Sequence, residues 1–383
     1  MELWNEKKDC CGCGACAAAC PRGCIQMQAD EEGCLYSFID GARCTGCGLC
    51  QKACPMGSQP SGGLPEAYAL INGDGAVRRD STSGGVFTLL AEAVLEAGGV
   101  VFGAAMQGDM TVRHVAAERP QELAALRGSK YVQSDTGDTY RQAKQYLTEG
   151  RTVLYTGTPC QISGLKGYLG KDYVNLICQD VICHGAPAPA VWQRYVAHRE
   201  GKAGAKCSAF SFRCKEPDWV DYSLRMTFEN GAVYQATARQ DPYLRAFLRD
   251  LSLRPSCYQC PFKGESRPAD LTLGDFWGVW GLEPQLHDGK GTSLVLVHSE
   301  KGRRLLESVL PKTRWKTVDP RPALAHNPSV TRAPAQPPTR AAFRQEIGQE
   351  DFAAVVDRHC PRMSPLKRLI KRGKRFLKKH LCR

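Results

Sequence analysis

The chain has 383 residues and a mass of 42.0 kDa, which is more than one hydrophobic core usually serves. Its 43% hydrophobic and 23% charged residues are typical of a globular protein and exclude a disordered or collagen-like chain. The formal charge of +12 is concentrated in residues 358–383, which hold eleven Lys or Arg and no acid, so the main domains carry no basic face for nucleic acid.

The sequence has no apolar segment that approaches the ~20 residues needed to span a bilayer. Its first ten residues have no apolar run behind their lysines. We therefore expect a soluble, cytoplasmic protein. Of the twenty cysteines, eleven lie before residue 55. Without a signal peptide, such crowding indicates metal ligation rather than a disulfide scaffold.

Residues 1–60 are predicted to form a ferredoxin-type module. A CxxCxxCxxxCP run that begins at Cys10 recurs 34 positions later, beginning at Cys44, which indicates a duplicated half-module. In bacterial runs of this kind, three close cysteines hold one [4Fe–4S] cluster and the fourth holds the other. We therefore predict two clusters, the first held by Cys10, Cys13, Cys16 and Cys54 and the second by Cys44, Cys47, Cys50 and Cys20.

Iron–sulfur ligation suits these runs because soft thiolates match iron–sulfide cores, and glycines inside each run let backbone amides approach the cluster sulfurs. The alternative is a pair of zinc sites, but zinc motifs generally pair two CxxC units across a longer loop. The other cysteines of the module, Cys11, Cys24 and Cys34, fall outside the pattern and are predicted to be small buried hydrophobes.

The rest of the chain is predicted to be a larger mixed α/β body, so that the fold class combines α+β and α/β features. A linker rich in Pro and Gly at 59–65 precedes it. Up to residue 320, β-rich runs alternate with helical patterns, which favours parallel strands, crossover helices and some hairpins. We divide this body into residues 61–148 and 149–320. Helices are predicted at 86–96, 139–147, 191–199 and 302–310, strands at 99–104, 152–156, 173–181, 271–273 and 293–298, and a hairpin at 224–237.

Residues 321–383 are predicted to be a Pro-rich linker and a basic tail. Six prolines between 320 and 338 argue against a regular element there. The tail has a helical pattern with an apolar face made by Leu366, Leu369, Ile370, Leu377 and Leu381. Its interpretations are an amphipathic helix on anionic lipid, a helix that docks an acidic partner such as ferredoxin, or a solvated charged helix.

Three loops of the body carry cysteines. Cys160 and Cys183 each follow a predicted strand, at the carboxyl edge of the sheet where α/β proteins bind ligands. Cys257 and Cys260 form a CxxC pair in a Pro-flanked loop. These four cysteines are predicted to enclose a third cluster. The alternative is that Cys160 and Cys183 are packed thiols and that the CxxC pair binds zinc or nothing.

Two further loops are notable, one because it precedes a predicted helix and the other because it carries charged residues. The segment 80–87 offers capping hydroxyls and free amides before a predicted helix, which suits a phosphate as well as an ordinary cap. The segment 127–134 places two cations and an aromatic ring in a Gly-containing loop, which is equally typical of a solvated turn.

Six motifs follow one another in the body, namely SGGVF at 83–87, RGSKYVQS at 127–134, GTPCQ at 157–161, CHG at 183–185, SCYQC at 256–260 and GDFWG at 274–278. In this combination the chain resembles the coenzyme F420 hydrogenase/dehydrogenase beta-subunit family, over roughly its first 300 residues. The resemblance implies FAD, with contacts at Ser83, Gly84, Gly85, Lys130, Tyr131 and Thr158. It also implies a third [4Fe–4S] cluster held by Cys160, Cys183, Cys257 and Cys260. The fused N-terminal module is a departure from the family's hydrogenase subunits and leaves the electron acceptor open.

Two functions are compatible with these features. In the first, ferredoxin or another one-electron redox protein exchanges electrons with the clusters, and FAD collects pairs of electrons for hydride transfer with an unidentified small substrate. His184 or Asp180 is then predicted to protonate the substrate, with a cluster-shielding or core role as the alternative. In the second, the chain is a non-catalytic docking subunit that only conducts electrons within a larger redox complex.

Overall fold

The computed structural model describes residues 3–57 and 62–361. The strands are β1 Ile25–Ala29, β2 Leu35–Ile39, β3 Glu66–Asn72, β4 Val100–Met106, β5 Val112–Ala117, β6 Val153–Gly157, β7 Leu176–Val181, β8 Cys207–Cys214, β9 Ser223–Phe228, β10 Val233–Thr237, β11 Leu271–Asp275, β12 Ser293–Val297 and β13 Thr313–Val318. The α-helices are α1 Ala15–Ala19, α2 Leu49–Ala53, α3 Gly75–Asp80, α4 Val86–Glu96, α5 Leu123–Leu126, α6 Thr139–Thr148, α7 Pro159–Leu169, α8 Pro189–Ala203, α9 Pro242–Leu248, α10 Val279–Leu282, α11 Glu300–Val309, α12 Pro320–Ala325, α13 Arg340–Glu346 and α14 Phe352–His359.

The body is built around an eight-stranded mixed sheet in the order β13-β3-β12-β11-β7-β6-β4-β5. Strands β4, β6, β7 and β11 run parallel, and the strands on either side of this group pair in antiparallel fashion. Strand β4 is a continuous apolar run, as expected of a parallel strand with both faces covered, whereas β7 and β11 also carry buried polar residues such as Asp180 and Thr272. The predicted mixed α/β body with a small ferredoxin-like region is therefore confirmed.

The two faces of the sheet pack against different layers. On β6, Leu154 packs in the cluster that contains α4 and α11, whereas Val153 and Tyr155 pack in a cluster that contains α6, α7 and residues of the N-terminal module. Successive side chains of a strand point to opposite faces. The module therefore lies against the α6 and α7 side of the sheet.

A smaller antiparallel sheet, in the order β10-β9-β8, packs with α8, α9 and α14 in a core rich in aromatic residues. The predicted hairpin corresponds to β9 and β10, and Gly231 supplies a positive φ of 80° at its turn. The predicted helix 86–96 coincides with α4, while the strand predicted at 173–181 begins only at Leu176 as β7.

The prediction of no regular element between 320 and 338 is wrong at its start. Helix α12 begins at Pro320, where the missing N–H of proline has no intrahelical partner to lose. The Asp319 carboxylate caps this helix by accepting from the Arg321 N–H at 3.0 Å. Of the predicted linker 59–65, residues 62–65 have no regular structure, and the rest lies outside the described residues.

The predicted tail helix and its three interpretations fall on residues 362–383, which lie outside the described residues. Among the helices of residues 3–57 and 62–361, none is both long and apolar enough to cross a membrane.

Candidate iron–sulfur centres

The N-terminal module contains the same structural unit twice, in agreement with the sequence repeat. In each unit a glycine in the left-handed region, Gly14 (φ 78°) or Gly48 (φ 73°), leads into a helix of five residues. A side chain at such a φ is strained, which explains the glycines. Each helix carries the third cysteine of its run and ends at the fourth, so the unit presents its thiols around one end of a short helix.

Two cavities lie in the module, and each is lined by cysteines of both runs. The first cavity is lined by Cys10, Cys13, Cys16 and Cys54, together with Cys11. The second cavity, of ≈ 160 Å³, is lined by Cys20, Cys44, Cys47 and Cys50, together with Cys24. The fourth cysteine of each run has thus crossed to the other cavity, which is the grouping that the predicted ligation requires. Ligation itself stays a prediction.

The cysteines around the first cavity are close to one another, and they range from the buried Cys13 to the exposed Cys54. Burial, with Cys10 and Cys54 nearby, raises the pKa of the Cys16 thiol to about 12. Metals bind the thiolate form, so occupation of the cavity must release these protons. A set of four soft sulfur donors around an enclosed volume fits a [4Fe–4S] cluster.

The four body cysteines also come together, and we call Cys160, Cys183, Cys257 and Cys260 the body thiols. Cys160 lies in the first turn of α7 directly after β6, and Cys183 follows β7. Burial raises the pKa of Cys183 to about 12, with contributions from Cys160 and Cys260. The thiol of Cys257 accepts a hydrogen bond from the N–H of Ala186 at 3.3 Å. Loops that are far apart in sequence therefore place four thiols at the carboxyl edge of the parallel strands.

The fifth cysteine of this region is different. Cys178 is fully buried within β7, and burial raises the pKa of its thiol to about 12. It belongs to the core on the α6 and α7 side of the sheet, so it is a packed thiol and not a member of the body thiols.

Within residues 3–57 and 62–361, no three His, Cys, Asp or Glu side chains are gathered so as to hold a metal ion. In tetrahedral zinc sites the ligands converge on one ion. The ligands of a cubane are spread around four irons. The cysteines of the module surround cavities, as the ligands of a cubane do.

Comparison with known proteins agrees with the two cysteine runs of the module. Residues 9–58 match a 4Fe–4S dicluster domain. Residues 67–139 match the N-terminal part, and residues 150–323 the C-terminal part, of the coenzyme F420 hydrogenase/dehydrogenase beta subunit. Together these two parts cover more than half of the chain.

The chain belongs to the coenzyme F420 hydrogenase/dehydrogenase beta-subunit family. It is thus an iron–sulfur protein of an oxidoreductase family, with a dicluster module fused to the beta-subunit body. Among solved structures, a chain of the F420-reducing [NiFe] hydrogenase complex from Methanosarcina barkeri is similar, with 17% identity and a TM-score of 0.47 over 70% of this chain and 91% of that chain. No curated protein matches in sequence.

In this member of the beta-subunit family, the residues predicted to contact flavin phosphate pack on the sheet. The Ser83 hydroxyl donates to the Thr292 carbonyl at 2.8 Å, and the Gly84 N–H donates to the Ser293 hydroxyl at 2.9 Å. A Cβ on Gly84 would lie 2.3 Å from the Leu70 carbonyl oxygen. Close packing on the sheet therefore accounts for Ser83 and Gly84. Contact of these two residues with a flavin stays a prediction.

The other predicted flavin contacts lie on separate loops. The Lys130 ammonium donates to the Ala125 and Arg127 carbonyls at 2.8 and 2.9 Å, and burial lowers its pKa to about 7. The Thr158 hydroxyl lies 3.1 Å from the thiol of Cys160, beside the body thiols. Gly85, with a φ of 83°, is the residue before α4.

Tyr131 lies next to a cation that the sequence did not single out. The Tyr131 hydroxyl accepts from Arg213 Nη1 at 3.2 Å, and the same nitrogen donates to Asp275 Oδ2 at 3.0 Å. The Nε and Nη2 atoms of Arg213 are buried without a hydrogen-bond partner. Arg213 is not part of a recognisable sequence motif, so only the fold reveals these two free donor atoms.

The two predicted proton donors occupy different surroundings. His184 is partly exposed beside Cys183, and its Nε2 lies 2.6 Å from Asp250 Oδ1. Asp180 is fully buried in β7, where it accepts from Thr272 and lies 3.3 Å from Arg267 Nε. Burial raises the pKa of Asp180 to about 6. Asp180 therefore braces two neighbouring strands, and a role of either residue in proton transfer stays a prediction.

Proposed function

We propose that this chain is an oxidoreductase that carries single electrons between a donor protein and a two-electron substrate. The electrons pass through two [4Fe–4S] clusters in the module and a third in the body, and then to FAD, or in the reverse direction. When bound, the clusters supply one-electron steps and FAD couples them to hydride transfer. The protein's own contribution is to hold these groups at fixed spacing and to exclude water between them.

The position of Cys160 carries this proposal. Cys160 is one of the body thiols, and its neighbour Cys11, which lines the first cavity, raises the pKa of its thiol well above the ordinary range, as does burial. The body thiols and the first cavity are thus adjacent, with no solvent layer between Cys11 and Cys160. A short, buried separation is what electron transfer between two clusters requires.

The second cavity fits the entry point for electrons. Its rim includes the exposed residues Arg22, Cys47 and Leu49, and among residues 3–57 no Asp or Glu lines it. Arg43 is exposed beside it and donates to the Arg22 carbonyl at 3.0 Å. A donor protein with an acidic face, such as ferredoxin, complements this surface.

Support for FAD comes from the site beside Tyr131. Two N–H donors of Arg213 are buried there without a partner, which is costly unless a ligand accepts from them. Lys215 lies in the same region, where it donates to the Ser83 carbonyl, and burial lowers its pKa to about 7. An anionic or carbonyl-bearing cofactor on this side would satisfy the free donors of Arg213. We assign proton transfer to a substrate there to His184, which lies next to the body thiol Cys183 in sequence.

A second function, a docking subunit that only conducts electrons, is favoured by one observation. The polar groups of Ser83 and Gly84, which the family resemblance assigns to flavin phosphate, already bond to Thr292 and to Ser293 at the start of β12. A chain without flavin would still link a donor to a partner enzyme through its cysteines.

Iron, sulfide and flavin analysis of anaerobically purified full-length protein tests the proposal. We expect about twelve irons, as three [4Fe–4S] clusters require, and one flavin. The Cys183→Ser variant should lose about four irons, whereas Cys178→Ala, the matched change at a packed thiol, should lose none. About eight irons without flavin in the unaltered protein would reject the enzyme and leave only the module as an electron carrier.

A further inference from the structure

A buried arginine joins the ferredoxin-type module to the body thiols. Arg254 is 1% exposed and lies just before the short turn that carries Cys257. Its backbone N–H donates to the Ala186 carbonyl at 2.9 Å, and its own carbonyl accepts from the Cys257 N–H at 3.0 Å. The main chain at this residue therefore connects the loops of Cys183 and Cys257.

The side chain of Arg254 points the other way, into the module. Its Nε donates to the Cys10 carbonyl at 2.9 Å, and its Nη1 donates to Gln133 Oε1 at 3.1 Å. The guanidinium lies 4.1 Å from the centre of the Tyr36 ring. Gly12 makes room for it, because a Cβ there would lie 2.7 Å from Nη1. One side chain thus spans the contact between the first cavity and the body thiols.

The charge of Arg254 is poorly compensated by the protein. Its Nη2 is buried and has no hydrogen-bond partner. The groups that contact the guanidinium are the Cys10 carbonyl, the Gln133 amide oxygen and the Tyr36 ring, and none of them carries a negative charge. A buried cation without a counterion is costly, and a [4Fe–4S] cluster with thiolate ligands is an anion that would offset that cost.

We propose that Arg254 raises the reduction potentials of the cluster in the first cavity and of the cluster at the body thiols, relative to the cluster in the second cavity. An electron that enters at the exposed second cavity from a one-electron donor protein then moves inward. The cluster that it leaves is oxidised, and the one that it reaches is reduced. Net charge near a cluster is one of the factors that set its potential. This inference rests on the proposed function, since it requires a third cluster at the body thiols.

Two substitutions test the inference in different ways. Arg254→Met removes the charge and keeps much of the length, and Arg254→Lys keeps the charge. Gln133→Glu is close to isosteric and places a carboxylate 3.1 Å from Arg254 Nη1 without altering the arginine. Arg245→Met is the control, because Arg245 is a buried arginine whose partners are Asp357 and the Cys360 carbonyl, away from all three cysteine groups.

The measurement is an anaerobic redox titration of the full-length protein followed by electron paramagnetic resonance. Arg254→Met and Gln133→Glu should each make reduction of two clusters at least tenfold less favourable, a shift of about 59 mV to lower potential. In these two variants the cluster in the second cavity should keep its potential, and all clusters of Arg254→Lys and of the Arg245→Met control should stay close to those of the unaltered protein.

The outcomes separate this inference from the proposed function. If the unaltered protein holds no cluster at the body thiols, the proposed function fails and so does the inference. If all three clusters are present and Gln133→Glu leaves every potential unchanged, the inference is overturned while the proposed function stands. Should Arg254→Met fail to retain iron, Gln133→Glu still decides, because it keeps the arginine and its hydrogen bonds.

Discussion

His114 is a buried imidazole that its neighbours hold in the neutral form. Its side chain lies between β5 and β6, with 5% exposure. Nε2–H donates to the Thr156 carbonyl at 3.0 Å, so Nδ1 is left to accept from the Ser134 hydroxyl at 2.7 Å. Burial lowers the pKa of His114 to about 4. Protonation of Nδ1 would reverse the hydrogen bond with Ser134, whose hydroxyl can also accept, and would bury a charge.

This arrangement predicts a pH dependence of stability. The folded state binds fewer protons than the unfolded state between about pH 6.5 and pH 4, so the free energy of unfolding falls as the pH falls through that window. The loss from His114 is about 3 kcal/mol on passing through the whole window. Urea unfolding at about pH 7 and about pH 5 should show a smaller pH effect in His114→Gln than in the unaltered chain.

His298 has the same character, since burial lowers its pKa to about 4. We therefore expect His114→Gln to remove only part of the pH effect. An unchanged difference between the two pH values in His114→Gln would contradict the assignment of a neutral buried imidazole.

At the scale of elements, helix α7 brings the body and the module into contact. Two of its residues are glycines on the face that packs against the module. A Cβ on Gly164 would lie 2.8 Å from the Cys13 thiol, and a Cβ on Gly167 would lie 2.4 Å from the Ala53 carbonyl oxygen. Because Cys160 lies in the first turn of the same helix, this close packing fixes the distance between the body thiols and the first cavity.

One methyl group added to this face of α7 should therefore push the body and the module apart. We expect Gly167→Ala to lower the free energy of unfolding by about 1–3 kcal/mol, because overpacking forces the backbone apart. It should also slow electron transfer from the module to the body, as measured by rapid-mixing absorbance after reduction with dithionite.

Gly201→Ala is the matched control for this change. Gly201 lies in α8, and a Cβ there would have no atom within 4 Å. Alanine in an exposed helix is expected to stabilise the protein by about 0.5–1 kcal/mol relative to glycine. Equal stability and equal transfer rates in Gly167→Ala and the unaltered protein would argue against α7 as the element that sets this spacing.

At the scale of the whole molecule, the exposed cysteines of the described residues lie in the module and the body thiols are all partly buried. Cys47 at the second cavity and Cys54 at the first cavity are the exposed ones. Arg254, between the first cavity and the body thiols, is almost completely buried. The C-terminal part holds the module in place, since Arg340 of α13 lies 2.7 Å from Glu32 and both side chains are 5% exposed. The module thus offers exposed cysteines to a donor, and the contact between module and body is buried.

Charge at the entry is expected to govern association with an acidic donor. Arg22→Glu combined with Arg43→Glu should slow reduction by ferredoxin at low salt and weaken the dependence of the rate on ionic strength. Stopped-flow reduction at several salt concentrations measures both effects. Arg321→Glu, an exposed change in α12, is the control. If the rate constants of the double variant and the control coincide at low salt, electrons do not enter through a docked acidic protein at this surface.

Local sequence determined the module and much of the secondary structure. The two cysteine runs predicted which residues line each cavity, because three ligands within seven residues leave the chain few ways to wrap a cluster. Helix α4 and the hairpin of β9 and β10 were also predictable, since their apolar spacing and their turn are local. The prolines after residue 319 led to a wrong prediction at α12, because a proline in the first turn of a helix removes no intrahelical hydrogen bond.

Tertiary structure decided the rest. The sequence left the four body cysteines open between a cluster and packed thiols, because loops about a hundred residues apart meet only when the sheet order is known. The sequence did not single out Arg254 or Arg213. Both residues matter because they are buried and have hydrogen-bond donors without a partner. Cys11 was interpreted as a small buried hydrophobe, and only the packing of α7 shows it beside Cys160. Covalent spacing fixes which thiols are neighbours along the chain, but the approach of distant segments depends on the packing of the whole sheet and its helices.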